Sequence, residues 1–311
     1  MISDERILVT GVTGTIGGAL ARHLAAENDV WGVARFNNAD ARDALEAAGV
    51  TTRRVDLGAS DLGSGDLSEL PDDFTYVLNL AWMRAGYDEL DAAIRANVEG
   101  TGLVLQHCRK AKAALVMSSM GVYSANDDPW WPYGEHDPIG RGATSYAPTS
   151  PACKVGVESV ARFCARAFEL PVVITRLNTL TGLPASFPGI YIDAVMNDRT
   201  MTAPSDPTPH SPIHIDDMKW MLEPLLDAAA TTACITNWCG DDITTVQDWM
   251  RDAAAWSGSD HEPRLQVERP PGSPAGAMAD ATRRQSLTGP CRTTFADSFR
   301  SLFTEMTGIE P

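Results

Sequence analysis

The chain is poor in basic residues, and this shortage limits what it can bind. It has 25 Lys and Arg against 41 Asp and Glu, which gives a formal net charge of -16. A chain with this charge repels nucleic acids and anionic membranes unless a local basic patch opposes the field. Arg53-Arg54 and Arg283-Arg284 are isolated pairs rather than such a patch. We therefore expect no nucleic-acid partner and no membrane partner, and we interpret the charge as an aid to solubility.

Long apolar runs and paired cysteines are also missing. No stretch approaches the roughly 18 apolar residues that a membrane helix needs. The polar start, Met1 to Arg6, lacks the layout of a signal peptide, so we expect a cytoplasmic protein. The cysteines, at positions 108, 153, 164, 234, 239 and 291, form no Cys-x-x-Cys pair. This spacing disfavours structural zinc and a disulfide framework, and we expect no metal site and reduced, mostly buried thiols.

Strand and helix signals alternate through the first 180 residues. The predicted strands are 6–10, 30–34, 50–57, 76–81, 114–118 and 172–176, and the predicted helices are 19–26, 39–48, 89–110 and 151–168. Repeated βαβ units imply a parallel sheet with helices on both faces. The predicted fold is therefore α/β, with a Rossmann-type doubly wound parallel sheet over residues 1–180.

Beyond Gly182 the composition of the sequence changes. Proline and glycine are frequent in residues 182–212 and 263–276, and the predicted helices and strands become shorter there. We predict a smaller, interleaved C-terminal lobe over residues 181–311, which would bind the substrate. Residues 233–237 have the composition of a strand, so we expect about 213–245 to return to the sheet domain.

The turn after the first predicted strand has the residues of a dinucleotide-binding loop. Gly11 permits a tight turn, Gly14 lets the backbone approach a pyrophosphate, and Gly17 lets the helix pack on the strand. The N-terminus of the following helix would then direct unpaired N–H groups at the phosphates. An ordinary glycine-rich β–α turn is the alternative. The predicted contacts of this loop are Gly11, Thr13, Gly14, Thr15, Ile16 and Gly17.

Arg35, at the end of the second predicted strand, indicates which dinucleotide is bound. It lies 18 positions after Gly17 (35 minus 17), close to the spacing of about 20 residues expected for the residue that reads the ribose. An acidic residue here would bind the ribose hydroxyls of NAD, whereas an Arg can pair with the 2′-phosphate of NADP. We therefore predict NADP rather than NAD, the alternative being an exposed Arg without a role. Asp56 and Leu57, at the end of the third strand, are expected to flank the adenine.

A series of short motifs resembles the extended short-chain dehydrogenase/reductases, the NAD-dependent epimerase/dehydratase group. After the glycine loop, the matches in chain order are Asn79-Leu80-Ala81, Asn97-Val98-Glu99-Gly100-Thr101, Ser118-Ser119-Met120-Gly121-Val122-Tyr123, residues 176–182 and Ile213-His214-Ile215-Asp216-Asp217. Together they cover roughly residues 5–240. The resemblance implies further cofactor contacts at Leu80, Ala81, Trp82, Asn97, Lys154 and Leu177.

The resemblance also implies that a Ser, a Tyr and a Lys carry out the chemistry. In the family the Tyr passes a proton to or from a substrate oxygen while a hydride moves to or from the nicotinamide. The Ser role falls on Ser119 and the Lys role on Lys154, which Glu158 follows at the family's spacing. The signature Tyr-x-x-x-Lys is broken, however, because Ser150 occupies the Tyr position. A serine hydroxyl lacks the acidity to take over that role near neutral pH.

Three alternatives are open for the missing phenol. Tyr146, eight residues before Lys154, is one candidate proton donor. Alternatively Ser119, Ser150 and Lys154 act with a water or with the substrate's own group, or the protein only binds its cofactor. Ser150 has a structural interpretation as well, because Ser followed by Pro predicts the N-cap and first residue of a helix.

Two positions disfavour a nucleotide-sugar substrate. Family members that act on such substrates usually carry an Asn three places after the residue matched by Arg176 and an Arg four places before the one matched by His214. This chain has Thr179 and His210 there, although Asn178 is adjacent to the first. Aromatic residues predicted near the nicotinamide would suit an apolar or ring-shaped substrate, unless they only pack a loop. The predicted substrate contacts are Trp82, Trp131, Tyr133, Asn178, Thr179 and His210.

These observations predict an NADP-dependent oxidoreductase that acts on a small, non-nucleotide carbonyl or hydroxyl compound. An epimerase or dehydratase that uses the bound cofactor transiently is the alternative among enzymes. A cofactor-binding sensor or scaffold without turnover is the alternative outside them. The helices predicted at 89–110 and 151–168 carry many small and apolar residues. Their counterparts in the family often pair into a four-helix bundle, so the resemblance implies a homodimer.

Overall fold

A computed structural model describes residues 2–59, 67–140, 142, 147–258 and 263–311. The chain divides into two compact units that alternate along the sequence. Unit 1 consists of Met1–Ser119, Tyr146–Thr175 and Lys219–Thr236, and unit 2 consists of Met120–Ser145, Arg176–Met218 and Asn237–Pro311. The segment that returns to unit 1 after residue 180 is therefore Lys219–Thr236, and residues 120–145 lie in unit 2.

The strands and helices are numbered in chain order. The strands are β1 Arg6–Thr10, β2 Asp29–Ala34, β3 Thr51–Arg54, β4 Tyr76–Asn79, β5 Ala113–Ser119, β6 Val172–Leu177, β7 Leu180–Thr181, β8 Met201–Ala203, β9 Pro209–His210, β10 Ile213–His214, β11 Cys234–Trp238, β12 Thr244–Thr245 and β13 Leu265–Val267. The helices are α1 Thr15–Leu24, α2 Ala39–Ala47, α3 Leu90–Ala93, α4 Gly100–His107, α5 Ser150–Ala167, α6 Phe187–Met196, α7 Ile215–Asp227, α8 Val246–Ser257, α9 Thr282–Thr288 and α10 Phe295–Thr307.

Seven strands form the main sheet, in the order β11-β6-β5-β4-β1-β2-β3. The pairs β1–β2, β2–β3, β1–β4 and β4–β5 are parallel. Strands such as Ile7-Leu8-Val9 in β1 are buried along their whole length, as expected of a parallel sheet that is covered on both faces. The predicted α/β fold with a Rossmann-type parallel sheet is confirmed.

The helix predicted over 89–110 is interrupted. It consists of a 3₁₀ turn at Tyr87–Glu89, helix α3, a π-helical stretch at Ile94–Glu99 and helix α4. A π-helical stretch widens the backbone ring by one residue and is frequent at functional sites. Here it carries Asn97, one of the predicted cofactor contacts.

Unit 2 is held together by short strand pairs and an aromatic core. The pairs are β10–β7, β12–β9 and β13–β8. Residues from α6, α8 and α10 form the core, in which Trp249 and Phe303 are completely buried. Rings pack edge-on or tilted across this core, for example Tyr191 against Trp249 with centroids 5.7 Å apart, and such packing adds to the stabilisation from buried apolar area.

The cysteines are free thiols. Five of them are buried and Cys291 is half-buried. In the part of the chain that the structure describes, no helix has both the length and the apolar character to cross a membrane.

Candidate active site

The turn between β1 and α1 requires glycine at two positions, Gly11 and Gly17. Gly11 has φ +71°, and a Cβ at this position would lie 2.7 Å from Ala81 Cα. A Cβ at Gly17 would lie 2.3 Å from the carbonyl oxygen of Gly11. Both distances are far below van der Waals contact and involve backbone atoms, which cannot move aside without opening the β1–α1 turn. The close approach of strand, loop and helix therefore depends on these two glycines.

A groove of about 280 Å³ opens beside this loop in unit 1. Helix α1 begins at Thr15, and no side chain caps it at Gly14, so its first N–H groups are available to an anion. Several predicted cofactor residues line the groove together, namely Gly11, Thr13, Arg35, Asp56, Leu57, Ala81, Trp82 and Asn97. The carboxyl ends of parallel strands are where such folds bind nucleotides, and the residues present fit a dinucleotide.

Some lining residues were missed and some predicted ones lie elsewhere. Met83, Ala92 and Ala96 also line the groove, and the four-residue spacing of the two alanines could have revealed their shared helix face. The predicted residues that do not line it are Gly14, Thr15, Ile16, Gly17, Leu80, Lys154 and Leu177. Leu80 is buried, and Leu177 ends β6 in unit 2.

A buried polar network fixes the ends of β1 and β4 beside the groove. The Thr10 hydroxyl accepts the N–H groups of Leu80 and Ala81, both at 3.0 Å, and donates to Asn79 Oδ1 at 3.0 Å. Asn79 Nδ2 in turn donates to the Thr101 hydroxyl at 2.9 Å. Each of these buried groups has a partner, so the network holds the segment after β4 in one position.

Asn97 holds the same segment from the π-helical stretch. Its Oδ1 accepts the N–H of Met83 at 2.7 Å, and its Nδ2 donates to the Met83 carbonyl at 2.9 Å. Because both amide atoms bond to backbone, we interpret Asn97 as a residue that shapes the groove wall.

Arg35 places a positively charged side chain at the groove. The residue is exposed and lines the groove. Its carbonyl accepts a hydrogen bond from Arg54 Nε at 3.2 Å, which fixes the backbone. Within the described ranges its guanidinium has no hydrogen bond or ion pair with another residue, so it is available to an anionic ligand.

Lys154 is buried under Trp82 rather than exposed to the groove. Only 5% of Lys154 is accessible, its Nζ donates to the Met117 carbonyl at 2.7 Å, and the ring centroid of Trp82 is 3.7 Å from Nζ. Burial lowers the pKa of Lys154 to about 7, although the negative charge of Glu158 acts to raise it. Glu158 also accepts the Ser118 hydroxyl at 2.7 Å. In this structure the lysine is therefore closed to a nicotinamide ribose.

The predicted N-cap at Ser150 is wrong by one residue. Helix α5 already includes Ser150, and the cap position falls on Thr149, whose side chain makes no cap hydrogen bond. The reason is a set of contacts outside the helix. Ser150 N–H donates to the Ala147 carbonyl at 2.9 Å, and the Thr149 hydroxyl donates to the Ala85 carbonyl at 2.9 Å. Of the other predicted catalytic residues, Ser119 is half-buried at the end of β5, and Tyr146 lies outside the described residues.

Asn178, Thr179 and His210 are committed to contacts inside unit 2. Asn178 Nδ2 donates to the Ala277 carbonyl at 2.6 Å, and its Oδ1 accepts the N–H groups of Thr179 and Ser211. The Thr179 hydroxyl and His210 Nδ1 share a hydrogen bond of 2.7 Å. In this structure the amide oxygen of Asn178 and one N–H of its Nδ2 are thus engaged inside unit 2.

The two aromatic residues predicted to meet the substrate differ in their surroundings. Tyr133 is 5% exposed, stacks on Tyr123 with centroids 5.0 Å apart, and accepts the N–H of Asn126. In this structure Tyr133 is therefore packed in the interior of unit 2, and its contact with a substrate stays a prediction. Trp131 remains 40% exposed, with its Nε1 donating to Asp137 at 3.0 Å.

The half-buried imidazole of His210 predicts a specific loss of stability in acid. Burial lowers the pKa of His210 to about 4, whereas an unfolded chain protonates its histidines near pH 6.5. The stabilisation is complete above pH 6.5 and is lost as the pH falls through this window to about 4. We expect the wild type to lose up to about 3 kcal/mol more between pH 6.5 and 4 than His210→Asn does.

Urea denaturation at several pH values measures this difference. His136→Asn, at an exposed histidine, is the matched control and should follow the wild type. Parallel pH profiles for the wild type and His210→Asn would contradict the lowered pKa of this imidazole.

The β1–turn–α1 unit, the groove at the strand ends and the interrupted helix define a dinucleotide-binding α/β protein. The model of the NAD dependent epimerase/dehydratase family matches residues 7–200, and the chain belongs to this family. No curated protein sequence matches the chain.

Solved structures with the same fold cover nearly the whole chain. One is a mutant UDP-glucuronic acid 4-epimerase from Bacillus cereus with UDP-4-deoxy-4-fluoro-glucuronic acid and NAD, at 21% identity and TM-score 0.81, covering 97% of this chain and 99% of that one. A UDP-N-acetylglucosamine 4-epimerase from Methanobrevibacter ruminantium M1 with UDP-N-acetylmuramic acid has 18% identity and TM-score 0.81, covering 99% of both chains. The dTDP-glucose 4,6-dehydratase from Bacillus anthracis with NAD has 15% identity and TM-score 0.78, covering 98% and 97%. These similarities show the fold.

Proposed function

We propose that this family member is an NADP-dependent enzyme that acts on a small, non-nucleotide carbonyl or hydroxyl compound. The observation that carries the cofactor choice is the exposed guanidinium of Arg35 on the groove beside the glycine loop. A guanidinium can bind a 2′-phosphate with two parallel hydrogen bonds. The solved structures described above that hold a dinucleotide contain NAD, and Arg35 is the reason to expect a different cofactor here.

The choice of substrate class rests on the polar groups of unit 2. A diphosphate needs cations or free amide donors, and the positions that carry an Asn and an Arg in nucleotide-sugar members hold the Thr179–His210 pair. Because its pKa lies near 4, His210 is neutral at physiological pH. No charge at this pair would compensate a buried diphosphate, which supports a smaller, uncharged substrate.

When bound, a nicotinamide supplies or accepts a hydride. The chain's own residues then have to bind the dinucleotide, orient the substrate oxygen and move one proton. The α1 N-terminus and Arg35 are assigned to binding, and Ser119 to orienting the oxygen. Tyr146 is the candidate proton donor from the sequence, with Ser119, Ser150 and Lys154 acting through a water as the alternative.

A transient use of the cofactor, as in an epimerase or dehydratase, is the second candidate function. It is favoured by the family to which the chain belongs. The two are separated by the nicotinamide absorbance during turnover, because net oxidation or reduction changes it steadily and transient use leaves it constant. A protein that binds NADP but converts no substrate would instead be a sensor or scaffold.

Replacing Arg35 tests the cofactor assignment. We expect the wild type to bind NADP at least about tenfold more tightly than NAD, since a charge-assisted hydrogen bond contributes about 1.5–3 kcal/mol. In Arg35→Asp the order should reverse, because the carboxylate repels the 2′-phosphate and accepts the ribose hydroxyls of NAD. Titration calorimetry with both cofactors measures this. Arg109→Asp, at an exposed arginine of unit 1 outside the groove lining, is the control, and equal affinities in the wild type would refute the assignment.

We also propose a homodimer formed through the helices around α4 and α5. Phe163 on α5 is 64% exposed, and Leu90 and Ile94 are 37% and 38% exposed on the helical stretch before α4. Burying such residues against a second copy would remove apolar surface from water. Phe163→Glu should therefore give monomers in light scattering at micromolar concentration, whereas Ile243→Glu, at an exposed residue of unit 2, should stay dimeric. A monomeric wild type would contradict the proposal.

A further inference from the structure

Trp82 covers Lys154 at the point where the family signature is broken. The indole ring centroid lies 3.7 Å from Lys154 Nζ, and the indole Nε1 donates to the Ser150 hydroxyl at 3.3 Å. Ser150 is the residue at the signature's Tyr position. The side chain that replaces the phenol therefore binds the ring that shields the lysine.

The position of the indole explains why the lysine is inaccessible. Trp82 lines the dinucleotide groove, whereas Lys154 does not. Trp82 also packs against the small apolar cluster of Ala85, Ala93 and Cys153. A serine side chain is much shorter than a tyrosine side chain, so position 150 leaves space in front of the lysine, and the indole occupies it.

The contacts of the ammonium group favour this covered state. Nζ keeps one hydrogen bond to the Met117 carbonyl, and the face of the indole attracts the positive charge. The carboxylate of Glu158 adds a favourable charge from the next turn of α5. Together these interactions offset only part of the cost of removing water from the ammonium group, which is why the pKa of Lys154 is lowered to about 7.

We propose that Trp82 and Ser150 together fill the space of the missing phenol. The Ser150 hydroxyl holds the indole in place, and the indole separates Lys154 from the groove. Trp82 is thus a positioning residue that acts through Lys154. The inference deepens the proposed function and rests on it in one respect: a nicotinamide ribose can reach Lys154 only after the indole has moved.

Amine labelling followed by peptide mapping tests the cover directly. The lysines of the chain are Lys110, Lys112, Lys154 and Lys219, and the side chains of Lys110 and Lys112 are 61% and 65% exposed. In the wild type, an acylating reagent such as sulfo-N-hydroxysuccinimide acetate should modify these two and leave Lys154 unmodified. In Trp82→Ala the labelling rate at Lys154 should rise at least about tenfold, because the barrier to reagent access is removed.

Two further variants separate the cover from a general loss of packing. Trp82→Phe keeps a ring over the ammonium, so Lys154 should remain close to the protection of the wild type. Ser150→Ala keeps the indole but removes the acceptor of its N–H, so labelling should rise by a smaller factor. Trp130→Ala, at an exposed tryptophan of unit 2, is the control and should behave as the wild type.

The buried thiols of Cys108 and Cys164 report whether a variant has opened its fold. If they stay unreactive to iodoacetamide while Lys154 becomes labelled in Trp82→Ala, the cover is supported. If the two thiols also react in Trp82→Ala, Ser150→Ala becomes the deciding variant, and faster labelling of Lys154 in it supports the proposal. Unchanged labelling of Lys154 in both variants, or in Ser150→Ala when Trp82→Ala opens the fold, overturns it.

A fluorescence measurement keeps this inference separate from the proposed function. The emission of Trp82 is obtained as the difference between the wild type and Trp82→Phe, and it should change on saturation with NADP. Absence of NADP binding in calorimetry would defeat the proposed function, while the labelling experiment would still decide on the cover. NADP binding with an unchanged Trp82 emission would contradict the prediction that the indole moves when the cofactor binds.

Discussion

Gly17→Ala is expected to lower the dinucleotide affinity by at least about 100-fold. The added Cβ would lie 2.3 Å from the carbonyl oxygen of Gly11, and the same oxygen accepts the N–H of Gly14 at 2.9 Å. Helix α1 must then shift away from the loop, so the groove loses both its shape and its aligned N–H groups. We also expect a loss of about 1–3 kcal/mol in the free energy of unfolding.

Gly134→Ala is the matched control. A Cβ there meets no atom within 4 Å, so NADP affinity and melting temperature should stay at wild-type values. Titration calorimetry and thermal denaturation measure both quantities. Retention of wild-type affinity in Gly17→Ala would show that the dinucleotide does not depend on the β1–α1 turn.

Tyr146→Phe is expected to lower turnover by about 10²–10⁴-fold, the usual contribution of one acid–base group. A phenol near a lysine can have its pKa lowered from about 10 by the neighbouring positive charge. NADP affinity should change little, because the groove residues that the structure describes are unaltered by this substitution. Screening carbonyl and hydroxyl compounds identifies a substrate. Steady-state kinetics on it then measure turnover, and titration calorimetry measures NADP affinity.

Two variants accompany that measurement. Tyr76→Phe, at the first residue of β4 and away from the strand ends that border the groove, is the matched control and should keep wild-type turnover. Ser150→Ala should cost little stability, because no side chain caps α5. Wild-type turnover in Tyr146→Phe together with a collapse of turnover in Ser150→Ala would contradict the role of Tyr146 and favour Ser150 acting with Lys154 and a water.

Local sequence rules predicted the sheet and the dinucleotide loop well, because both depend on short-range constraints. Apolar runs of strand length, glycines at fixed spacing and a helix directly after them leave few other arrangements of residues 6–24. The same reasoning applied to Arg35 and Asp56, which lie one and two residues after the ends of β2 and β3 and therefore reach the same edge of the sheet. That edge is where the groove lies.

Predictions that depend on distant partners were less successful. The start of α5 is shifted because Thr149 bonds to the carbonyl of Ala85, which lies 64 positions earlier. Asn178 is occupied by the carbonyl of Ala277, 99 positions later. Such contacts form only in the folded chain, and no periodicity or spacing within a segment reveals them.

The covered lysine illustrates the same limit at the candidate site. Sequence motifs located Lys154 and showed that the Tyr of the signature is absent. They could not show that Trp82, 68 positions before Ser150, bonds to that serine and covers the lysine. A motif names the residue types near a site, whereas access to them is decided by tertiary packing.

A crystal structure of the protein with NADP bound tests the central claim most directly. We expect the adenosine 2′-phosphate within hydrogen-bond distance of the Arg35 guanidinium and the pyrophosphate against the first turn of α1. We also expect that the nicotinamide half is seated only with Trp82 moved from its contact with Ser150. A 2′-phosphate turned away from Arg35, or a groove left without density at saturating NADP, would contradict the account.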